Sequence, residues 1–151
     1  MDERCRELVK GLFDAFNRRD AAGIVALCHE DMEFFAATAE EIGRSEPYVG
    51  PDGLNAYLDD VSTAWEELLI SPGEVEQRGE ELLVRGRVYL RSRELGIRDM
   101  PVAWIWELRG DRFARGRAFA DPEQAIQTFS REATPQPRRD RGESRSMTPL
   151  P

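Results

Sequence analysis

Proton transfer near neutral pH needs a histidine or a shielded carboxylate, and this chain offers few of either in suggestive places. His29 is the single histidine and the one side chain whose ordinary titration falls near pH 7. It stands in Cys28-His29-Glu30-Asp31, between a helical stripe and a strand-like run. A rim residue at that joint is the simpler reading, and a catalytic base is the sharper one. Glu107 alternates with Trp104 and Trp106 in a strand-like segment. Pointing inward it is a buried carboxylate with a raised pKa, the best general acid or base the chain has. Pointing outward it pairs with an arginine such as Arg85 or Arg117, again the simpler reading. Asp59 and Asp60 are adjacent on a helix, so they point different ways and form no carboxylate pair. One histidine without a partner at ligand spacing gives no metal site. No phosphate loop, nucleophile elbow or dinucleotide fingerprint occurs in the sequence, so no cofactor is expected.

The second chemical resource is aromatic. Phe34, Phe35, Tyr57, Tyr89, Trp65, Trp104 and Trp106 are spread over several segments. Core packing accounts for most of them. Mostly apolar pockets with few polar anchors are also what small-molecule sites look like. Phe34, Tyr57, Trp65, Tyr89 and Trp104 are the candidate lining, with Tyr89 and Glu107 as polar anchors.

The elements that must position these groups are legible from periodicity. Cys5, Leu8, Val9, Leu12, Phe13 and Phe16 recur at helical spacing. Asp20 suits the N-cap of a second helix over Ala21–Cys28, with Ile24, Leu27 and Cys28 on its apolar face. Met32–Ala37 reads as a short strand, and Ala39–Pro47 as a polar loop carrying Glu40, Glu41 and Glu46. Pro51 and Asp52 suit the first turn of a third helix, whose stripe is Leu54, Tyr57, Leu58, Val61, Ala64 and Trp65. Ser71-Pro72-Gly73 reads as a break. The period then changes to two in Leu83–Arg91, Val102–Leu108 and Phe113–Ala120, with Arg109-Gly110-Asp111-Arg112 as a hairpin turn. Helices followed by a meander of strands is an α+β pattern.

The 151 residues, 40% apolar and 33% charged, are enough for one domain with a core. The net charge of −8 makes nucleic acid and anionic membranes poor partners. No apolar run reaches the length of a membrane span. The charged start of the chain lacks a signal-peptide apolar region, and the two cysteines fall at apolar helix positions as core thiols. A cytoplasmic protein is expected. From Arg131 to Pro151 the composition turns to Pro, Arg, Ser and Thr, too poor in apolar groups to offset ordering entropy. We expect a folded domain over residues 1–130 and a disordered tail over 131–151.

Three pieces carry a family resemblance: Leu12-Phe13-Asp14-Ala15-Phe16-Asn17-Arg18-Arg19-Asp20, the helix start Tyr48-Val49-Gly50-Pro51, and Arg109-Gly110-Asp111-Arg112-Phe113 running on to Asp121-Pro122-Glu123. In that order, over roughly residues 4 to 128, the chain resembles the nuclear-transport-factor-2-like, or SnoaL-like, cone. The resemblance implies three helices packed on a strongly curved, mainly antiparallel sheet around an internal pocket. It also implies a homodimer through the outer sheet face. The family includes isomerases, epoxide hydrolases, cyclases and non-catalytic binders, so fold alone gives no chemistry.

Two catalytic branches can be compared residue by residue. Ketosteroid isomerases carry a carboxylate base where this chain has Ala36, a tyrosine near Leu12 or Phe13, and an aspartic acid near Ala103–Ile105. The donors of their oxyanion hole are missing. Limonene-epoxide hydrolases carry Tyr and Asn where this chain has Phe34 and Ala36, and two Asp where it has Tyr89 and Ala118; Arg87 alone matches. Without a carboxylate no water is activated. The favoured expectation is a binder of a small hydrophobic molecule. The alternatives are a cyclase, isomerase or hydratase using Glu107 or His29, and a dimerisation module whose cone is filled by its own Trp and Phe side chains.

Overall fold

The helical stripe at the start of the sequence becomes α1, Glu3–Asn17, which buries Cys5, Val9, Leu12, Phe13, Ala15 and Phe16. The computed structural model describes residues 3–36 and 46–133. Most of the loop expected at Ala39–Pro47, including Glu40 and Glu41, lies outside the described residues, as does the expected tail beyond Ala133.

Asp20 caps the next helix as expected, its side chain accepting from the Gly23 N–H at 3.0 Å. That helix, α2, is shorter than its sequence suggested, Ala21–Ala26. Leu27 closes it, and Cys28 already belongs to β1, Cys28–Phe35. The joint turns early because the Phe113 N–H bonds to the Leu27 carbonyl, tying the chain to the sheet. A two-residue strand, β2 (Tyr48–Val49), precedes α3, Gly50–Ala64, which has proline in its first turn.

Four longer strands follow: β3 (Glu67–Arg78), β4 (Glu81–Ser92), β5 (Gly96–Arg109) and β6 (Arg112–Phe119). The sheet order is β2-β1-β6-β5-β4-β3, antiparallel throughout except for the parallel β1–β6 pair. Ser71-Pro72-Gly73 does not break the chain. It is a bulge within β3, with the register shifting between Pro72 and Val75. Proline fits because β3 is an edge strand, where a missing N–H costs no ladder bond. The facing residue is Gly86, where a Cβ would lie 2.3 Å from the Ser71 carbonyl oxygen. The glycine admits the close backbone approach that the bulge requires.

Helices α1–α3 fill the concave side of this cone, over a core that runs from Leu12 and Phe13 through Trp104 and Trp106 to Phe113. A fourth helix not anticipated from the sequence, α4 (Pro122–Ala133), lies on the convex side. Its Ala125 and Phe129 pack on Leu83, Ala103 and Ile105, and Arg78 stacks over the Phe129 ring at 5.0 Å. One further tie matters for the cone's open edge. The Asn17 side chain both donates to the Ile70 carbonyl and accepts from the Ile70 N–H, each at 2.8 Å. A side-chain amide thus supplies β3 with the two bonds that a neighbouring strand would give. No helix among the described residues is long and apolar enough to cross a membrane.

Candidate functional site

Strand alternation decides which groups reach the cone interior. On β5 the inward set is Met100, Val102, Trp104 and Trp106. Across the ladder Trp104 faces Ala118 and Trp106 faces Gly116, while Phe34 of β1 pairs with the same Gly116. The Trp106 indole lies across Gly116 and stacks on Phe34, with centroids 5.6 Å apart and planes 8° from parallel. Helix α1 adds Phe13, edge-on to Trp104 at 4.8 Å, and Phe16, edge-on to Tyr57 of α3 at 5.6 Å.

These rings, with aliphatic groups from β3 to β5, enclose a cavity of about 30 Å³. That is room for roughly two water molecules. Most of the lining is buried; Ala36, Met100 and Ala118 are only half-buried and mark the mouth. The described lining contains no carboxylate, histidine, lysine or arginine. Its titratable group is the Tyr57 hydroxyl, which burial pushes up to about 12 against a small opposing pull from Arg19. At neutral pH the phenol is therefore un-ionised and able to donate. The Trp106 indole N–H is fully buried and has no hydrogen-bond partner among the described residues.

The residues proposed from sequence divide by face. Phe34, Tyr57 and Trp104 wall the cavity. Trp65 is buried at the end of α3 but is not part of the lining; the Arg98 guanidinium stands 5.8 Å from its ring. Tyr89 points to the convex side, opposite Leu69 on β3 and Asp99 on β5. Glu107 is convex too, its carboxylate 3.6 Å from Arg115. Arg115 also stands 3.9 Å from Glu33 and 5.4 Å over the Phe35 ring. Glu107 cannot reach a molecule inside the cone, and the outward reading is the one the geometry matches. His29 sits beside the turn between β5 and β6, at the end of β1 away from Ala36, and its Nε2–H donates to the Arg109 carbonyl at 2.6 Å. Beside it the Arg109 guanidinium, 2.7 Å from Asp31, holds that exposed carboxyl below its usual range, chiefly through the hydrogen bond. His29 is not part of the cavity lining. Among the described residues no group of three His, Cys, Asp or Glu side chains is placed to hold a metal ion.

Sequence reasoning missed Met100, Ala118 and Gly116. Small residues and a lone methionine carry little signal. Gly116 carried some, since glycine inside a strand often marks a close approach.

The model for a SnoaL-like domain matches residues 9–116. Solved structures similar to this chain include TerC co-crystallised with polyporic acid, at 19% identity and TM-score 0.71, covering 85% of this chain and 99% of that one. A nuclear-transport-factor-2-like protein of unknown function from Burkholderia pseudomallei matches at 21% identity and TM-score 0.71, covering 84% and 97%. A protein of ketosteroid isomerase-like fold from Catenulispora acidiphila, in complex with trimethylamine, matches at 11% identity and TM-score 0.65, covering 75% and 84%. At these identities the likeness is one of fold. No curated protein matches the sequence.

Proposed function

The chain belongs to the SnoaL-like family, and from that premise we propose that it binds a small apolar or aromatic molecule inside the cone. The carrying observation is the cavity itself: ring-walled, half-open at Ala36, Met100 and Ala118, and free of charged groups in its described lining. Such a surface recognises shape and apolar area rather than charge. Two structural neighbours crystallised with small molecules support the reading. An acid–base enzyme working through Glu107 or His29 is disfavoured, because neither side chain lines the cavity. The buried cysteines of the chain, Cys5 and Cys28, sit in its apolar core and suit a reducing compartment such as the cytoplasm.

The cavity must open to work. An engineered cavity of roughly 150 Å³ takes benzene, and this one measures about 30 Å³. Met100 is the side chain best suited to move, being unbranched and at the mouth. The test is a titration of the protein with one- and two-ring aromatics, followed by tryptophan emission. Trp104 and Trp106 line the cavity, so occupancy must quench or shift their signal. We expect a saturable change that disappears in Ala118→Phe, which plugs the mouth. A folded protein giving no saturable change with any compound would sink the proposal.

A second reading rests on a separate observation. On the convex side Leu69 is 46% exposed and Ile97 65% exposed, with the half-buried Tyr89 beside Leu69. Helix α4 covers other convex residues, Leu83, Ala103 and Ile105. We propose that the uncovered strip packs against a second copy of the chain. Sedimentation of Leu69→Glu against wild type tests it: a dimer that dissociates in the variant supports it, and a monomeric wild type ends it.

A further inference from the structure

The polar character of the cone interior rests on very little. Of the described lining residues, only Tyr57, Trp104 and Trp106 carry a side-chain hydrogen-bonding group. The Tyr57 hydroxyl forms no hydrogen bond among the described residues, unlike Tyr48, whose hydroxyl donates to Asp60 at 2.8 Å. The Trp106 N–H is sealed from solvent and likewise unpartnered there. Buried donors without acceptors are costly, and most folded proteins avoid them. One sealed donor, the Trp106 N–H, and one hydroxyl with no hydrogen bond among the described residues, on the 6% exposed Tyr57, amount to unmet demand for an acceptor.

The rings restrict which acceptor. A cation bound among aromatic side chains needs open ring faces. Here Trp106 spends one face on Phe34, at 5.6 Å and 8°. Phe16 and Phe34 each meet Tyr57 edge-to-face, at 87° and 81°. An ion of either sign would enter without a counter-charge in the described lining, at a large desolvation cost.

We infer that Tyr57 is the polar anchor of the site, donating its hydroxyl hydrogen to an oxygen acceptor on a neutral, flat ligand, with the Trp106 N–H as a second donor. The inference rests on the proposed binding function and specifies it: the ligand is an uncharged aromatic molecule carrying a carbonyl or ether oxygen, not a bare hydrocarbon and not an ammonium ion. Tyr57 is thereby a specificity determinant rather than an apolar wall. Its raised pKa agrees, since the phenol stays a donor across the neutral range.

The experiment compares 1-indanone with indane, which share a shape and differ by the carbonyl, and adds tetramethylammonium as a charged probe. Each is titrated by calorimetry into the full chain and into Tyr57→Phe, with near-ultraviolet circular dichroism confirming that the variant is folded. For wild type we expect indanone to bind about tenfold tighter than indane, the worth of one satisfied donor. In Tyr57→Phe the preference falls to about threefold or less, mainly through weaker indanone binding, and tetramethylammonium binds neither protein measurably. Equal binding of indanone and indane to wild type overturns the inference while leaving the binding function standing. So does a preference that survives Tyr57→Phe, or tighter binding of the ammonium probe. The wild-type ratio needs no variant, so a misfolded Tyr57→Phe would not block the decision. Absence of binding by all three probes, in a protein that also ignores the wider aromatic panel, removes both the function and the inference.

Discussion

Gly116 is the position where one methyl group most directly tests the packing of the cone. A Cβ there would lie 2.1 Å from Trp106 Cζ3, 2.4 Å from Cε3 and 2.7 Å from Cη2. An ordinary carbon contact is about 3.5 Å, so the indole must retreat by about 1.4 Å. It has nowhere easy to go. Phe34 stacks on it, and Phe13, Phe16 and Phe113 surround it at centroid distances of 6.2, 6.4 and 5.3 Å. Overpacking costs about 1–3 kcal/mol, and loss of the Phe34 stack adds roughly 1 kcal/mol. Alanine recovers about 0.5–1 kcal/mol of backbone entropy relative to glycine. Gly116→Ala should therefore destabilise by about 2 kcal/mol. With a urea m-value of about 2 kcal/mol/M, the unfolding midpoint falls by about 1 M. The partner measurement is the same change in a Trp106→Leu background, where the obstruction is gone and the substitution should be neutral or slightly stabilising. A Gly116→Ala stability within about 0.5 kcal/mol of wild type, a midpoint shift of about 0.25 M or less, would refute the packing argument. So would an equal loss in both backgrounds.

Three other outcomes are expected. Asn17→Ala strips the Ile70 N–H and carbonyl of their partners and should cost about 1–3 kcal/mol, with faster amide exchange at Ile70; unchanged exchange there would count against the bridge. Tyr57→Phe should be near neutral in stability at pH 7, since no hydrogen bond is lost, but should flatten the alkaline limb of the profile. The folded phenol lies at about 12 and the unfolded one near 10, so its contribution is whole below pH 10 and is lost as pH rises toward 12, about 2–3 kcal/mol in all. An alkaline limb identical in wild type and variant would contradict the burial. Glu107→Gln removes a half-exposed convex ion pair with Arg115, so stability should change by less than about 1 kcal/mol and aromatic binding not at all. Abolished binding in a folded Glu107→Gln protein would place that carboxylate in the site after all.

The sequence announced elements more clearly than faces. α1 was legible because Leu12, Phe13 and Phe16 repeat at helical spacing and end up 0%, 1% and 2% exposed. β4 to β6 were legible because small, apolar and arginine residues alternate. β3 was hidden by Pro72 and Gly73, which mark a break only if every strand residue needs a ladder bond, and an edge strand does not. α4 was hidden because its apolar face amounts to little more than Ala125, Ile126 and Phe129 beside exposed Glu123, Gln124 and Gln127. For the site, Phe34, Tyr57 and Trp104 stood out as aromatics, and they line the cavity. Tyr89 and Glu107 stood out equally and lie on the other side of the sheet. Parity along a strand tells which residues share a face; which face is concave depends on the helices that cover it, and that is tertiary information.

The parallel pairing of β1 with β6 joins residues more than 80 positions apart, Phe34 beside Gly116 and Phe35 beside Arg117. During synthesis β1 can pair with β2 along one edge, but its other edge stays unmatched until β6 has left the ribosome. Contacts of such long sequence separation are slow to form. That edge of β1 remains uncovered throughout the interval, the condition under which nascent chains aggregate or recruit chaperones. Expression of this protein should be sensitive to translation speed and temperature in a way that its finished stability would not foretell.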